Sequence, residues 1–377
     1  MNDSNKHPLT RIKVRNNGHQ PPIVTPMKVG VLTFHKCINY GSYWQARCMV
    51  EALRARGHEA ELLDHDCRCI RRAEVRCALQ PKLPERTPPH ELGIYARKTR
   101  RFLDAISALP LSKRFSLHEP EVAGEYDAII VGSDEVWNFR HPWYGSKPIF
   151  WGDGLKTKRL VSYAASFGNH SAWDGIHPAW ARKLRRFASL SVRDRNSWHL
   201  VRSSTDREPA LVLDPCLLFP EPARQAAERD APYALVYGYG FPVWLKRLSR
   251  RWSYSAGVRL VSVGYSNDFA HEQRIDDGPV EFAQLVSGAS AIITNFFHGC
   301  VFSLLHGKPW ATAPSDYRSI KIPDLTAMLG AERRLVDPET DESRFASLMN
   351  APVQPEVEAR LSELRARSEA YLDAALA

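Results

Sequence analysis

Long apolar runs are missing from this chain of 377 residues. No segment approaches the roughly 20 consecutive apolar residues that a membrane-spanning helix requires. Residues 1–26 are polar and basic, and they lack the apolar centre of a secretory signal peptide. These absences predict a cytoplasmic protein with a disordered lead-in over residues 1–26. Peripheral contact with the inner membrane stays open as an alternative.

Cysteine is sparse, and its spacing does not suggest a metal site. The seven cysteines are an odd number, and the chain has no paired CxxC motif. Cys67, Cys69 and Cys77 fall in "HDCRCIRRAEVRC", which lacks both the spacing and the second ligand cluster of a zinc site. Without an export signal, this pattern indicates reduced thiols and predicts no metal site.

Acidic residues are fewer than basic ones, which gives a formal net charge of +9. Basic clusters occur at 97–101, 182–186 and 246–251. Such clusters are usually the solvated faces of helices, but they also attract anionic substrates or acidic lipid head groups. We expect no nucleic-acid partner, because no recognition motif is present and aromatic residues do not alternate with the basic clusters.

Short β-branched runs alternate with helical stretches along most of the chain, and this alternation is typical of parallel sheets. The pattern predicts an N-terminal Rossmann-like domain over 27–220 and a polar, proline-bearing linker over 221–232. A second Rossmann-like domain over 233–350 and a C-terminal helix over 351–377 follow. The predicted fold class is therefore α/β, with two Rossmann-like domains facing a cleft. Ligands of such sheets bind outside the carboxyl ends of the strands.

Residues that follow the predicted strands are the candidates for a binding site. His298 opens an apolar helix directly after a strand, where helix-start amides favour anions and an imidazole can change protonation near neutral pH. Gly299 would let backbone amides approach a ligand. Arg193 ends another strand, and its guanidinium matches a carboxylate or phosphate. Further strand-end candidates are His35, Asn39, Gly41, Ser133, Asp134, Trp137, Ser166, Asp214 and Asn295.

Several of these residues have a structural alternative. Asp134 either forms an Asx turn, or it orients a substrate hydroxyl or acts as a base. The backbone at Ser133 could offer amides to an anion, and Trp137 is either core packing or a sugar-stacking platform. His35, Asn39 and Gly41 form either a plain loop or a backbone nest at the cleft. Ser166 has a weaker claim, and Asp214 before Pro215 is favoured as a structural turn.

Six segments, in order over residues 28–330, resemble the polysaccharide pyruvyl transferase family. They are "GVLTFHKCINYGSYWQARCMVEAL", "YDAIIVGSDEVWN", "VSYAASFG", "SLSVRD", "LVLDPCLLF" and "ITNFFHGCVFSLLHGKPW". The resemblance implies a GT-B-like fold, in which two Rossmann-like domains face a central cleft. It also implies transfer of pyruvate from phosphoenolpyruvate onto a sugar of a polysaccharide or its lipid-linked precursor, usually as a ketal. Phosphoenolpyruvate would be the donor substrate, and no cofactor is expected.

The resemblance also implies roles for individual residues. Arg193 and Lys321 would bind the anionic donor, His298 would be the catalytic acid, and Asp134 would help the acceptor hydroxyl. Phe296 stands where many members of the family carry an arginine and another branch carries a serine. Lys321, Arg318 or Arg193 would therefore have to supply the missing cation.

Three alternative functions stay open at the level of sequence. The first is a glycosyltransferase that uses a nucleotide sugar, although no convincing carboxylate for a ribose is visible. The second is a family member redirected to a small-molecule or peptide acceptor. The third is a binding protein that kept the cleft and lost the chemistry.

Overall fold

The computed structural model describes residues 25–220 and 231–377. Residues 1–24 and 221–230 lie outside this description, so the predicted lead-in and most of the predicted linker are not tested. The described chain forms two main parallel sheets, one from each half of the sequence, and two further pairs of short parallel strands in the first half. This architecture confirms the predicted α/β fold class, with two Rossmann-like domains in a GT-B-like arrangement.

The first sheet has four strands in the order β2-β1-β5-β6. The strands of the first half are β1 Lys28–Leu32, β2 Glu59–Leu62, β3 His65–Asp66, β4 Phe115–Ser116, β5 Glu125–Val131, β6 Lys156–Ser162, β7 Ser191–Val192 and β8 Ala210–Leu211. The helices of this half are α1 Tyr40–Ala55, α2 Arg68–Leu79, α3 Pro89–Ser107, α4 Pro178–Leu184, α5 Arg195–Thr205 and α6 Pro215–Leu218. Single bridges extend the sheet from β6 toward the short pair β7 and β8.

The second sheet has five strands in the order β11-β10-β9-β12-β13. Its strands are β9 Tyr233–Tyr237, β10 Arg259–Val263, β11 Glu272–Arg274, β12 Ala291–Thr294 and β13 Trp310–Thr312. The helices of the second half are α7 Val243–Ala256, α8 Pro279–Gly288, α9 Phe297–Leu305, α10 Lys321–Leu329, α11 Glu342–Asn350 and α12 Pro355–Leu376. Strands β9 and β12 are buried along their whole length, as expected for parallel strands covered on both faces.

Several strands end earlier than the apolar runs suggest. The run at 126–134 predicts a strand that ends in a turn, and β5 ends at Val131, before that turn. The run at 188–194 contributes only Ser191–Val192. After β5 the chain leaves the sheet at Gly132, whose φ of 117° is not that of a strand. These early ends place Asp134 and Arg193 beyond the sheet edge, at the cleft.

The two halves share an apolar core. Helix α1 packs against α8, and α6 packs against α9. The hydroxyl of Tyr40 donates to the carbonyl of Asp277 at 2.6 Å, and the indole of Trp44 donates to the carbonyl of Pro279 at 3.2 Å. One hydrophobic cluster contains residues of both sheets, from Val29 on β1 to Val261 on β10. This shared packing fixes the two walls of the cleft relative to each other.

The C-terminal helix α12 returns to the first half of the molecule. Tyr371 donates to the carbonyl of Ser162 at 2.7 Å, and the Ser368 hydroxyl accepts from the amide of Leu213 at 2.9 Å. Leu364 and Leu372 enter the shared core. In the described ranges, none of the helices is both long enough and apolar enough to cross a membrane.

Candidate functional site

A cavity of about 240 Å³ lies between the two halves, at the carboxyl ends of the central strands. Both halves line it, and we call it the cleft. Its charged lining comprises four cationic residues and three acidic ones, together with His298. They are Lys98, Arg193, Arg318, Lys321, Glu74, Asp134 and Glu135. The cleft therefore combines groups that bind anions with groups that accept protons.

His298 reaches the cleft from the first turn of α9. The helix is anchored by its buried apolar residues, among them Cys300 and Val301. His298 is 8% exposed, and its Nε2 lies 3.4 Å from Oδ2 of Asp214 without forming a hydrogen bond to the described residues. The structure thus places His298 where the sequence predicts it, on an apolar helix and facing the cleft.

Gly41 makes room for that imidazole at the start of α1. A Cβ atom at position 41 would lie 2.0 Å from Nδ1 of His298, which no side chain could tolerate without a shift. The turn is held by Asn39, whose side chain accepts from the amides of Gly41 and Ser42 at 2.8 and 3.3 Å. Asn39 caps α1 in this way, and it also lines the cleft.

Asp134 and Asp214 bracket the guanidinium of Arg193. Nη2 of Arg193 donates to Oδ1 of Asp134 at 3.1 Å, and Nη1 donates to Oδ2 of Asp214 at 2.9 Å. The second oxygen of Asp134 accepts from the hydroxyl of Ser42 at 2.7 Å. Asp134 has φ of 72°, an uncommon backbone conformation that often occurs at functional sites.

Electrostatics keep both carboxylates ionised. Burial works to raise the pKa of Asp134, but the charges of Arg193 and His298 outweigh it, and the net shift is downward. Burial likewise opposes ionisation of Asp214, whose pKa is nevertheless lowered well below the ordinary range by His298 and Arg193. Burial by itself would lower the pKa of Arg193, whereas the surrounding carboxylates raise it.

Arg193 departs from the role expected of it. The sequence predicts an open guanidinium fork, yet both terminal nitrogens are engaged by Asp134 and Asp214. The cation also lies 4.6 Å from the centre of the Phe297 ring. Its buried Nε has no hydrogen-bond partner among the described residues. Arg193 therefore organises the two carboxylates and keeps one unused donor.

Lys321 lies on the opposite wall, at the first position of α10. Its ammonium forms an ion pair with Glu135, which also accepts from the hydroxyl of Tyr317 at 2.9 Å. Burial lowers the pKa of Lys321 to about 8, while the negative charge of Asp134 works in the opposite direction. A buried ammonium with this pKa can bind an anion at neutral pH and release its proton above it.

Arg318 places a second cation over Phe296. The guanidinium carbon lies 4.2 Å from the centre of the Phe296 ring, and Nη1 donates to the hydroxyl of Ser315 at 3.0 Å. Position 296 is where the resemblance leads one to expect an arginine. The charge at this part of the cleft therefore comes from another segment of the chain and rests on the aromatic ring.

Seven of the predicted site residues do not line the cleft, and four of these, His35, Ser133, Trp137 and Ser166, lie in the interior with polar partners there. His35 contacts Asp64 at 3.5 Å, and Ser133 donates to Gln45 at 2.9 Å. Ser166 donates to Asp194 at 2.6 Å. Trp137 is 1% exposed and donates to the carbonyl of Phe150, so it is core packing and not a sugar-stacking platform. Their polar atoms were satisfied by neighbouring loops, which a list of strand ends cannot reveal.

Asn295 and Gly299 also differ from expectation. Asn295 is buried and donates to the carbonyl of Tyr239 at 2.7 Å, so it holds a loop that lines the cleft. A Cβ atom at Gly299 would lie 2.0 Å from Oγ1 of Thr294. Gly299 is therefore needed for close packing of α9 on β12, and it does not bring backbone amides to a ligand.

Glu74, Lys98 and Glu135 received no role from the sequence patterns, and Asp214 was undervalued. Asp214 is the predicted turn residue, because it caps α6 by accepting from the amide of Cys216 at 3.0 Å, but its other oxygen reaches Arg193. Glu135 stood next to Asp134 in "GSDEVWN", so proximity in sequence was a usable signal. Glu74 and Lys98 lie inside helices and offered no such signal.

Glu74 on α2 and Lys98 on α3 line the cleft from within helices. Oε1 of Glu74 accepts from the indole of Trp143 at 2.7 Å and from the thiol of Cys37 at 3.0 Å. Burial raises the pKa of Glu74. Lys98 donates to the carbonyl of Gly264 at 2.8 Å and lies 4.3 Å from the centre of the Tyr265 ring. Burial lowers the pKa of Lys98 to about 7.

Among the described residues, Asp214, Cys216 and His298 form one cluster of potential metal ligands. Arg193 donates to Oδ2 of Asp214, the same oxygen that lies 3.4 Å from His298. A guanidinium thus already neutralises the carboxylate that a metal ion would need. The cluster is better described as an ion-pair network than as a metal site.

The fold and the cleft define a two-domain α/β protein with opposed anion-binding and proton-accepting groups. A family model of polysaccharide pyruvyl transferases matches residues 39–316, which is more than half of the chain. The chain therefore belongs to the polysaccharide pyruvyl transferase family and is a transferase. No curated protein sequence matches the chain.

Solved structures of several enzymes align with most of the chain at low sequence identity. UDP-GlcNAc 2-epimerase of Neisseria meningitidis aligns at 10% identity and a TM-score of 0.47, covering 92% of this chain and 98% of its own. The corresponding epimerase of Methanocaldococcus jannaschii gives 10% identity, a TM-score of 0.46 and coverages of 85% and 92%. The Streptomyces glycosyltransferase SsfS6 aligns at 15% identity and a TM-score of 0.43, covering 91% of this chain and 96% of its own. Because one fold hosts many activities, these alignments indicate no substrate.

Proposed function

We propose that this protein transfers pyruvate from phosphoenolpyruvate to two hydroxyls of a sugar and forms a ketal. The acceptor would belong to a polysaccharide or to its lipid-linked precursor, and the reaction would take place in the cytoplasm or at the inner face of the membrane. The observation that carries this proposal is the convergence of His298, Arg193, Arg318 and Lys321 on one cleft of about 240 Å³. Membership of the family supports the reaction class.

The donor would bind through its two anionic groups. Arg318 and Lys321 provide cations on the wall formed by the second half of the chain, and Nε of Arg193 provides a donor opposite them. Charge-assisted hydrogen bonds of this kind are stronger than neutral ones. Lys321 is buried and paired with Glu135, so few of the three N–H donors of its ammonium can reach a ligand. The ion pair would therefore have to open when the donor's phosphate arrives.

Protonation of the methylene carbon would start the chemistry. His298, oriented by Asp214, would give its proton to that carbon, which becomes a methyl group. The neighbouring carbon then becomes electrophilic, and the first acceptor hydroxyl attacks it while its proton passes to a base, for which Asp134 is the candidate. The C–O bond to phosphate breaks, and the second hydroxyl attacks the same carbon and gives its proton to the departing phosphate. The proton held by Asp134 returns to His298 through solvent, so both groups regain their starting protonation. Positioning and charge stabilisation carry most of the rate enhancement.

Phosphate release tests the proposal. The protein would be incubated with phosphoenolpyruvate and a panel of glycans, and released phosphate would be measured together with the mass of the glycan product. We expect phosphate only when both substrates are present, and a product that has gained one pyruvyl group. Release of a nucleoside diphosphate from a sugar nucleotide would contradict the proposal and favour a glycosyltransferase.

A variant of His298 separates an enzyme from a binding protein. His298→Gln should lower kcat by about 10²- to 10⁴-fold, the usual loss on removal of a general acid, and leave phosphoenolpyruvate binding nearly unchanged in calorimetry. His306→Gln, at the other end of the same helix, is the matched control and should keep full activity. Equal activity of wild type and His298→Gln would show that His298 is not the acid.

A further inference from the structure

Two thiols at the start of α2 lie in contact, and their spacing in the chain predicts no role for them. The Sγ atoms of Cys67 and Cys69 are 2.7 Å apart, and Sγ of Cys67 is 4.0 Å from Nε2 of His118. Cys67 is partly exposed and Cys69 is exposed. None of the seven cysteines forms a disulfide in the structure.

The geometry favours a dithiol over a metal site. Two thiolates that share a tetrahedral zinc ion would have sulfur atoms about 3.8 Å apart, given a Zn–S distance of about 2.3 Å. The observed separation of 2.7 Å is much shorter. The cluster of potential metal ligands found in the described residues also does not include these cysteines. The two sulfur atoms are instead placed to react with each other.

The local environment makes Cys67 the nucleophile of the pair. Burial works to raise the pKa of its thiol, but the Cys69 thiol, the amides at the start of α2 and His118 outweigh it and lower the pKa to about 7. The pKa of Cys69 is raised, chiefly by its hydrogen bond to Cys67. A low-pKa thiolate beside a second, protonated thiol is the usual arrangement of an attacking and a resolving cysteine.

We propose that Cys67 and Cys69 form a reversible dithiol–disulfide site that reacts with small-molecule disulfides. The Cys67 thiolate attacks one sulfur of the reagent, so that a mixed disulfide forms and one small thiol leaves. Cys69 then loses its proton and attacks the Cys67 sulfur, which expels the second small thiol. The two cysteines lose two electrons in total, and the reagent gains both together with two protons.

The position of the site gives this chemistry a route to the cleft. Cys67 lines a second cavity of about 430 Å³, which shares Ile38 and Glu74 with the cleft. Helix α2 begins one residue after Cys67 and carries both Ile70, which is buried in the core, and Glu74. A bond between residues 67 and 69 would constrain the first turn of the helix that forms this wall.

Peptide mapping tests the proposal on the full chain and does not depend on its catalytic activity. The folded protein would be equilibrated with oxidised glutathione at pH 7.5, quenched with acid, alkylated and digested with trypsin. Trypsin cuts after Arg68, between the two cysteines, so their disulfide would hold two peptides together until a reductant is added. We expect this linked pair in wild type and in Cys77→Ser, which removes an exposed thiol from the same helix.

Two single variants assign the roles. Cys69→Ser should stop at a stable mixed disulfide on Cys67, whereas Cys67→Ser should leave Cys69 largely unmodified. In wild type at pH 7, iodoacetamide should alkylate Cys67 roughly fivefold faster than Cys77, because about half of Cys67 is thiolate. Equal rates at Cys67 and Cys77, or the absence of the linked peptide pair in folded wild type, would overturn the proposal.

Discussion

At the scale of single residues, charge in the cleft comes from side chains that hold one another in place. Arg193 was expected because it ends a strand, and His298 because it opens a helix after one. Their common partner Asp214 was underrated, since a residue that caps a short helix looks complete in sequence. Its second carboxylate oxygen became available only when the chain folded and brought Arg193 and His298 to it.

The position of the Arg318 guanidinium over Phe296 gives a prediction that can be tested by moving the positive charge from residue 318 to residue 296. Arg318→Ala should raise the KM for phosphoenolpyruvate about 10- to 100-fold, which corresponds to the loss of one charge-assisted interaction. Adding Phe296→Arg to that variant should recover part of the loss, because it returns a cation to the same part of the cleft. Arg247→Ala, an exposed arginine on α7, is the control. If the second substitution gave no recovery, Arg318 would not be acting through its charge at this position.

The lowered pKa of Lys321 predicts how donor binding depends on pH. Only the protonated ammonium attracts the anionic donor, so the contribution of Lys321 to affinity should be complete well below pH 8 and fall up to tenfold per pH unit above it, as the group with a pKa of about 8 loses its proton. Calorimetric titration of phosphoenolpyruvate between pH 6.5 and 9.5 measures this. Lys321→Arg should remove the decline, because a guanidinium stays charged throughout. An unchanged decline in that variant would assign the titration to another group.

At the scale of elements, the start of α1 positions the His298 ring across the boundary between the two halves of the chain. Gly41 and His298 come from different halves of the chain, and neither motif by itself shows that they touch. The sequence nevertheless marked both, because each follows a strand of a parallel sheet. The strand ends therefore predicted which loops form the cleft. The contact between Gly41 and His298 became visible only when both halves of the chain were placed together.

Gly41→Ala should displace the His298 ring without removing it. The added methyl would occupy the space of the imidazole, so kcat should fall roughly 10- to 100-fold, as expected from a misplacement of about 1 Å. Gly93→Ala on α3 is the matched control, since its Cβ would meet only the side chain of Arg97 at 4.0 Å. That variant should keep its activity and be stabilised by about 0.5–1 kcal/mol. Full activity of Gly41→Ala would show that the ring can move without consequence.

At the scale of the whole molecule, α12 ties the end of the chain to the first half. Leu364 and Leu372 are buried in a hydrophobic cluster that contains residues of both sheets. The predicted C-terminal helix is present, but its docking site was not visible in sequence, because an amphipathic pattern shows which face is buried and not what covers it. The cleft depends on this packing for the fixed relation of its walls.

Leu372→Ala should destabilise the protein by about 2–5 kcal/mol, the usual cost of this truncation in a core. We expect a single unfolding transition at lower temperature in calorimetry, because the core is continuous between the halves. Ser362→Ala, on the exposed face of the same helix, should change stability by less than about 0.5 kcal/mol. Two separate transitions in the variant would contradict a shared core.

The sequence by itself determined the alternation of strands and helices, the parallel sheets and the loops at their carboxyl ends. Local patterns suffice for this. A strand buried on both faces is a continuous apolar run, and a helix buried on one face repeats its apolar residues about every 3.6 positions. The tertiary structure decided which polar side chains point into the cleft and which are satisfied inside, as Ser166 and Trp137 are. It also brought Asp214 and Arg318 to the site and paired Cys67 with Cys69. These outcomes depend on distances between distant segments and on the exact path of each turn, and no local pattern records them.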